Sequence, residues 1–281
     1  MNYHLHENGW TVILDNFDFK TATQEDINHI ARLLATNTCV VAQGQSLSIQ
    51  DEVRVADMFG DVEVVTPEYK PYQRLVIPGG EDKLLRVTGE LDEHGEEGLF
   101  GHVSDLDWHC NKPAMPIRKP LVWLYGERGT VGSRTTWNNN ILAYNDLDQE
   151  TKDILEPLEG VFGYEHGRYT AMQFEDISTR EINTHYTPRI VHTNIAGQRG
   201  LFFPFLQLFY FKGWTEEASQ KLIKRISEHI TQDKYCYHHD WTDGDVVIAE
   251  QWLGIHKRWR FEGMLNRVLH RSTFGFPDQK Y

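Results

Sequence analysis

The 281-residue sequence has few cysteines and no long apolar run. Cys39, Cys110 and Cys236 are an odd set without a CxxC pair, which argues against a disulfide scaffold or a thiolate zinc site and is typical of a reducing interior. No apolar stretch approaches the roughly 18 residues of a membrane span. Residues 1–7 have neither the basic start nor the apolar core of a signal peptide. We therefore expect a soluble, cytoplasmic protein.

Positive charge is also scarce. Lys and Arg number 28 against 41 Asp and Glu, so the formal net charge is −13. Such a surface repels phosphate groups, so we expect neither a nucleic acid nor an anionic membrane as a partner. The expected partner is a small-molecule substrate, and a homo-oligomer is the default expectation for a protein of this kind.

The sequence contains no internal repeat, low-complexity block or Gly/Ser/Pro linker, so we expect one domain over residues 1–281. Helical periodicity predicts a helix over 24–35 with Thr23 as its N-cap, and a second over 50–59 that ends at Gly60. Residues 39–42 form an apolar run between them, typical of a buried strand. Two more helices are expected, near 140–147 and after Thr215.

The second half of the chain is dominated by short strand patterns without regular βαβ alternation. They cover 121–125, 135–137, 200–205, 235–241, 246–249 and 265–274. This organisation favours an antiparallel sandwich or barrel of the jelly-roll class, so the expected fold is mainly β with flanking helices.

A Gly-rich, acidic stretch begins at about residue 87. It contains Glu90, Asp92, Glu93, Glu96 and Glu97 with glycines between them. Such a composition offers no packing face and predicts a loop, which we interpret as a lid around residues 87–105.

Two clusters of polar residues lie on predicted strands. Alternation places Asp107, His109 and Asn111 on one face of an extended segment. It likewise places Arg267 and Arg271 on one face of the last strand, with His270 on the other. Two arginines on an inward face need an anion, which is either a protein carboxylate in an ion pair or a ligand carboxylate.

Five segments, in order, resemble the taurine dioxygenase family of Fe(II)/2-oxoglutarate-dependent oxygenases. The segments are Trp108-His109, Gly132-Ser133-Arg134-Thr135-Thr136-Trp137, Gly200-Leu201-Phe202, Asp243-Gly244-Asp245-Val246, and His256 followed by Arg267 and His270-Arg271. The resemblance implies a double-stranded β-helix, a cupin-like jelly roll. It also implies Fe(II), 2-oxoglutarate and O2 as cofactor and co-substrates.

The resemblance further implies the roles of individual residues. His109, Asn111 and His256 match the metal-binding positions. Arg267 matches the arginine that holds the far carboxylate of 2-oxoglutarate, and Thr135 matches the hydroxyl that assists it. Arg271 matches a residue that supports this site or contacts the substrate. His109, His256 and Arg267 are therefore the expected catalytic residues.

Asn111 departs from the family pattern, which has Asp or Glu at this position. A neutral amide is a poorer ligand for Fe(II) than a carboxylate. Four interpretations stay open: Asn111 ligates weakly or through water, Asp107 supplies the carboxylate, the position is open as in halogenating relatives, or the chain is an inactive relative. We favour an active dioxygenase that hydroxylates an unactivated C–H bond and releases succinate and CO2. A halogenase-like or catalytically silent anion-binding protein is the alternative.

The substrate is the least determined feature of the sequence. The acidic stretch is suited to a cationic group, and Arg271 is suited to an acid. Together they point to a small polar substrate of the amino-acid type.

Overall fold

The computed structural model describes residues 1–65, 75–90, 105–114, 119–165, 180–261 and 266–277. The helices are α1 (Gln24–Asn37), α2 (Ile49–Phe59), α3 (Asn140–Asn145), α4 (Gln149–Leu155) and α5 (Glu216–Ile230). The strands are β1 (Asn2–Leu5), β2 (Val12–Asp15), β3 (Cys39–Ala42), β4 (Leu85–Thr88), β5 (Leu106–His109), β6 (Leu121–Arg128), β7 (Arg134–Asn138), β8 (Gly160–Glu165), β9 (Arg180–Asn183), β10 (Val191–Thr193), β11 (Arg199–Leu201), β12 (Leu208–Phe211), β13 (Cys236–Asp240), β14 (Val246–Glu250), β15 (His256–Arg258) and β16 (Val268–Phe274).

The largest sheet has seven strands in the order β1-β2-β3-β14-β6-β16-β4. Its central strands β3, β14 and β6 consist mainly of apolar residues because both of their faces are buried. In β6, Trp123 and Tyr125 pack on the side of α1 and α2. Val122 and Leu124 face the opposite side, towards the second sheet.

The second sheet has four strands in the order β13-β7-β15-β5. Trp137, Tyr237 and Trp241 extend from it into the core that it shares with the seven-stranded sheet. Two facing, mainly antiparallel sheets with helices on the outside confirm the predicted mainly β fold. The ligand pocket described below opens between these sheets.

Helices α1 and α2 cover the outer face of the large sheet. Each begins with a capping box: Thr23 with Asp26 in α1, and Ser48 with Asp51 in α2. Gly60 follows the last residue of α2 with a φ of +85°, which favours glycine. Both predicted helices are confirmed, with ends that differ from the predictions by at most two residues.

A third layer of small sheets and α3–α5 packs beyond the four-stranded sheet. The predicted strand over 200–205 is too long, because β11 ends at Leu201 and a turn follows in which the Pro204 carbonyl accepts from the Gln207 and Leu208 amides. Phe202 and Phe203 are fully buried in this irregular segment. Consecutive buried apolar residues give the same sequence pattern as a buried strand, which explains the wrong prediction.

The predicted lid around 87–105 is wrong at its start. Val87 and Thr88 belong to β4, which pairs with β16. Residues 91–104 lie outside the described residues. Within the described part of the chain, no helix combines the length and the apolar character that crossing a membrane requires.

Candidate active site

The two predicted histidine ligands are neighbours on adjacent strands. His256, in β15, is paired directly with His109 in β5 and with Trp137 in β7. Since directly paired residues place their side chains close together, the ring centroids of His109 and His256 are 4.2 Å apart. Two imidazoles separated by 147 residues in the chain thus meet at one point.

Both imidazoles are neutral at neutral pH. Burial lowers the pKa of His109 to about 4, although its contact with the Asp107 carbonyl opposes the change. Burial, with the nearby charges, lowers the pKa of His256 well below its ordinary value. His109 Nδ1 lies 2.6 Å from the Asp107 carbonyl oxygen, so Nδ1 donates there and Nε2 keeps its lone pair. This is the state in which histidine ligates a metal.

The third predicted metal-binding residue, Asn111, lies beside Arg271. Arg271 Nη1 donates to Asn111 Oδ1 over 3.2 Å. Because arginine only donates hydrogen bonds, the Asn111 atom that faces Arg271 is the amide oxygen and not the amide nitrogen. Within the described residues, the buried Asn111 Nδ2 has no hydrogen-bond partner, and no group of three His, Cys, Asp or Glu side chains is arranged to hold a metal.

Asp107 does not supply a carboxylate to the pocket. A register shift between β5 and β15 pairs His109 with His256 but Leu106 with Arg258, so β5 has one extra residue between the two pairs. Such a bulge breaks strict alternation. Leu106 and His109 line the pocket, while Asp107 Oδ1 lies 3.4 Å from Lys257 Nζ. The expectation that Asp107 shares the inward face of His109 is therefore wrong.

Arg267 is a buried cation directed towards the pocket. Its side chain is 2% exposed, and its Nε donates to Ser133 Oγ over 2.9 Å. Burial, with Arg258 nearby, lowers its pKa to about 9, which still leaves it protonated at neutral pH. Nη1 has no partner among the described residues. A buried, charged guanidinium with an N–H group that lacks a partner among the described residues is suited to bind a carboxylate.

All six predicted site residues line one pocket: His109, Asn111, Thr135, His256, Arg267 and Arg271. Thr135 lies on β7, and its hydroxyl accepts a hydrogen bond from Trp241 Nε1 over 2.9 Å. His270 points to the other face of β16, where its Nδ1 lies 2.6 Å from Glu52 Oε1. The prediction that His270 faces away from Arg267 and Arg271 is confirmed.

Two further cations line the pocket and were missed from the sequence. Arg258 is two residues after His256 on β15, so strand alternation was a usable signal for it. Burial lowers its pKa to about 10. Lys112 has a φ of +54° and forms an ion pair with Glu63. Burial and the Arg271 charge lower its pKa to about 8. Nothing in the local sequence of Lys112 indicates its position.

Two glutamines, also missed, hold the backbone at Cys110 and Asn111, beside the predicted metal-binding position. The Gln207 side chain accepts from the Cys110 amide and donates to the Cys110 carbonyl, both over 3.2 Å. Gln251 Oε1 accepts from the Asn111 amide over 3.1 Å, and its Nε2 donates to the Lys119 carbonyl. These contacts fix the segment from residues that are distant in the chain, so no local pattern predicts them.

The residues present fit an iron ion and a keto diacid. Two neutral imidazoles offer nitrogen ligands, and the Asn111 amide oxygen is the nearby neutral oxygen donor. Arg267 offers buried donors to the far carboxylate of a co-substrate. With Asn111 in place of a carboxylate, the negative charge at the predicted metal-binding position is reduced by one.

Comparisons with known proteins agree with this chemistry. Residues 4–273 match the sequence profile described as "Taurine catabolism dioxygenase TauD, TfdA family". An alpha-ketoglutarate-dependent 2,4-dichlorophenoxyacetate dioxygenase from Burkholderia sp. (strain RASC) is 21% identical over 92% of this chain and 89% of its own length. An alkylsulfatase from Acinetobacter baylyi (strain ATCC 33305 / BD413 / ADP1) is 28% identical over 82% of this chain and 70% of its own length.

Solved structures are similar in fold. The crystal structure of AAD-2 in complex with Mn(II) and N-oxalylglycine has a TM-score of 0.80 at 19% identity, covering 98% of this chain and 97% of that one. A taurine dioxygenase from Burkholderia xenovorans has a TM-score of 0.71 at 19% identity, covering 95% and 86%. These similarities confirm the predicted cupin-like jelly roll.

The comparisons do not favour the halogenase-like or silent alternative. The chain is an Fe(II)/2-oxoglutarate-dependent dioxygenase that uses O2. With a profile match across nearly its whole length, it belongs to the taurine catabolism dioxygenase TauD, TfdA family.

Proposed function

We propose that this dioxygenase hydroxylates an unactivated C–H bond of a small polar substrate that carries an acidic group, with release of succinate and CO2. The observation that carries the proposal is the charge of the pocket. Four cations, Lys112, Arg258, Arg267 and Arg271, lie among its described lining residues, and Asp and Glu are lacking in that set. A pocket of this charge attracts anions.

His109, His256 and Asn111 would hold Fe(II), and the bound iron would supply the O2 chemistry that oxidises a C–H bond. The chain's own residues bind and orient. Arg267 receives the far carboxylate of 2-oxoglutarate, with the Thr135 hydroxyl beside it. Apolar side chains, among them Val122, Leu124 and Leu269, exclude water from the pocket.

Arg271 is the proposed contact for the acidic group of the substrate. It is half-buried, lines the pocket, and already donates to Asn111 next to the proposed metal position. A substrate anchored there would place its neighbouring C–H bonds near the iron. One named relative acts on an anion, 2,4-dichlorophenoxyacetate, which supports an acidic substrate here.

The preferred substrate type is an amino acid, whose acidic group Arg271 would contact; the acidic stretch lends its ammonium group no support among the described residues. Glu90, at the start of the acidic stretch, forms an ion pair with Arg128 at 2.8 Å and is not a described lining residue of the pocket. The other acidic residues of the stretch lie outside the described residues.

The test is succinate release from 2-oxoglutarate by the iron-loaded chain in air, with a panel of free amino acids, aryloxyacetates, sulfonates and amines. We expect acids to stimulate succinate release and simple amines to leave it unchanged. Stimulation by amines alone would overturn the acidic-substrate proposal. A complete lack of succinate with every compound, despite bound iron, would overturn hydroxylation itself.

Two variants separate the proposed roles of the arginines. Arg267→Gln should raise the KM for 2-oxoglutarate by roughly 10- to 100-fold, because a charged hydrogen bond contributes about 1.5–3 kcal/mol. Arg271→Gln should raise the KM for the acidic substrate instead. Arg128→Gln, an exposed arginine paired with Glu90, is the matched control and should change neither value.

A further inference from the structure

A second buried arginine lies close to Arg267, the residue proposed to hold 2-oxoglutarate. Arg258 is 6% exposed and Arg267 is 2% exposed, and both side chains line the pocket. Their guanidinium carbons lie 5.4 Å and 5.2 Å, respectively, from the centroid of the Phe261 ring. The charge of Arg258 also contributes to the lowered pKa of Arg267, as expected for two cations near each other. Because buried like charges repel, an anion that contacts both guanidinium groups would be stabilised.

The backbone places Arg258 opposite Thr135, the hydroxyl residue of the same proposed site. The two residues are paired directly in the ladder between β15 and β7. Directly paired residues project their side chains to the same face of a sheet, and both of these side chains line the pocket. Arg258, Arg267 and Thr135 therefore form one end of the pocket, with hydrogen-bond donors from β15, from β7 and from the residue that precedes β16.

This end of the pocket lies at a suitable distance from the proposed metal ligands. His256 and Arg258 are two residues apart on β15 and both line the pocket. Two residues of a strand correspond to a rise of about 6–7 Å. A five-carbon keto diacid is long enough to extend from one position to the other. A ligand whose keto acid lies beside His256 would therefore bring its far carboxylate to Arg258.

The charges at this end suit a single carboxylate. Arg258 and Arg267 carry two positive charges, and Asp105 carries a negative charge that raises the pKa of Arg258 against the effect of burial. Asp105 is not a described lining residue of the pocket, and its Oδ1 accepts a hydrogen bond from the Arg260 amide. The two arginines and Asp105 together have a net charge of +1, which one ligand carboxylate would neutralise.

We propose that Arg258 binds the far carboxylate of 2-oxoglutarate together with Arg267, so that two guanidinium groups hold the co-substrate. This assignment rests on the proposed function, in which Arg267 and Thr135 bind the same carboxylate. Each guanidinium presents a planar fork of N–H donors that matches the oxygens of a carboxylate. Arg258 is thus a specificity-determining residue, which makes the pocket distinguish a keto diacid from a keto monoacid more strongly than Arg267 alone.

The test is isothermal titration calorimetry of the Mn(II)-loaded chain, in which 2-oxoglutarate binds without turnover. The comparison ligand is 2-oxobutyrate, a keto acid that lacks the far carboxylate. We expect Arg258→Gln to raise the dissociation constant for 2-oxoglutarate by at least about tenfold, the scale of a lost charged hydrogen bond. The dissociation constant for 2-oxobutyrate should not change. Lys257→Gln is the matched control, since Lys257 is the neighbouring residue of β15, lies near Asp107, and is not a described lining residue of the pocket.

A second variant keeps the test decisive if Arg258→Gln does not fold. Arg258→Lys keeps the positive charge but loses the planar fork, so it should weaken 2-oxoglutarate binding less than Arg258→Gln does. Wild-type affinity for 2-oxoglutarate in the Arg258 variants would overturn the proposal. An equal loss for both ligands would also overturn it, because a purely structural role affects the whole pocket. Unchanged 2-oxoglutarate binding in Arg267→Gln would instead count against the proposed function.

Discussion

Asn111 changes the charge of the proposed iron site, because it offers an amide where a carboxylate would carry a negative charge. Its amide oxygen is neutral, accepts from Arg271, and lies beside two neutral imidazoles. The described side chains at this point thus carry no negative charge to offset Fe(II), and a cation stands next to them. A ligand set of this kind binds a divalent ion more weakly than one with a carboxylate.

Asn111→Asp should therefore tighten Fe(II) binding. The new carboxylate would bind the metal and form an ion pair with Arg271. We expect the dissociation constant for Fe(II) to fall by at least about tenfold, because changes to the groups around a metal site alter metal affinity on that scale. Anaerobic titration with Fe(II) measures the change. Asn111→Ala, which removes the oxygen donor, should weaken binding. Unchanged affinity in both variants would place Asn111 outside the coordination of the metal.

At the scale of the element, α2 depends on a carboxylate at its first turn. Asp51 accepts hydrogen bonds from the Ser48 hydroxyl over 2.7 Å and from the Ser48 amide over 2.9 Å. These bonds hold the pKa of Asp51 below its ordinary value of 3.8. A group whose pKa is lowered on folding adds stability above its unfolded pKa and loses it as the pH falls through the folded value.

Asp51→Asn should lower the free energy of unfolding by about 1 kcal/mol at pH 7, the usual scale for a lost capping interaction. The deficit relative to the wild type should be constant above about pH 5 and shrink as the pH falls through 3.8 and below, because the wild-type carboxylate then takes up a proton. Urea unfolding at several pH values measures it. A deficit that is the same at low pH would show that the charge of Asp51 is irrelevant to the cap.

At the scale of the whole molecule, one buried cluster joins the helical layer to the sheet behind the pocket. Glu52 of α2 is 2% exposed; its Oε1 lies 2.6 Å from His270 Nδ1, and its Oε2 accepts from Trp123 Nε1 over 3.2 Å. His270 immediately precedes Arg271 on β16. The contact that attaches α2 thus lies on the opposite face of the strand that carries the pocket residue Arg271.

Glu52→Ala should cost about 3 kcal/mol of unfolding free energy, because it leaves two buried polar partners without their carboxylate. Asp57→Ala on the same helix is the matched control. Asp57 is exposed and pairs with Lys83 at 2.8 Å, so its loss should cost less than about 1 kcal/mol. Chemical denaturation of both variants makes the comparison. Equal costs would contradict the role of Glu52 as the junction.

The sequence alone determined the features that depend on local periodicity and capping. Thr23 and Gly60 mark helix boundaries because their side chain or conformation acts within one turn. The spacing of Arg267, His270 and Arg271 assigned them to opposite faces because alternation along a regular strand is local geometry.

Only the tertiary structure decided which side chains meet. His109 and His256 share a site because β5 and β15 pair, and the bulge in that pairing turned Asp107 out of the pocket. Gln207 and Gln251 hold the backbone at Cys110 and Asn111 from distant parts of the chain. A strand pattern carries no information about its partner or about an extra residue in the ladder, since both depend on packing between segments far apart in sequence.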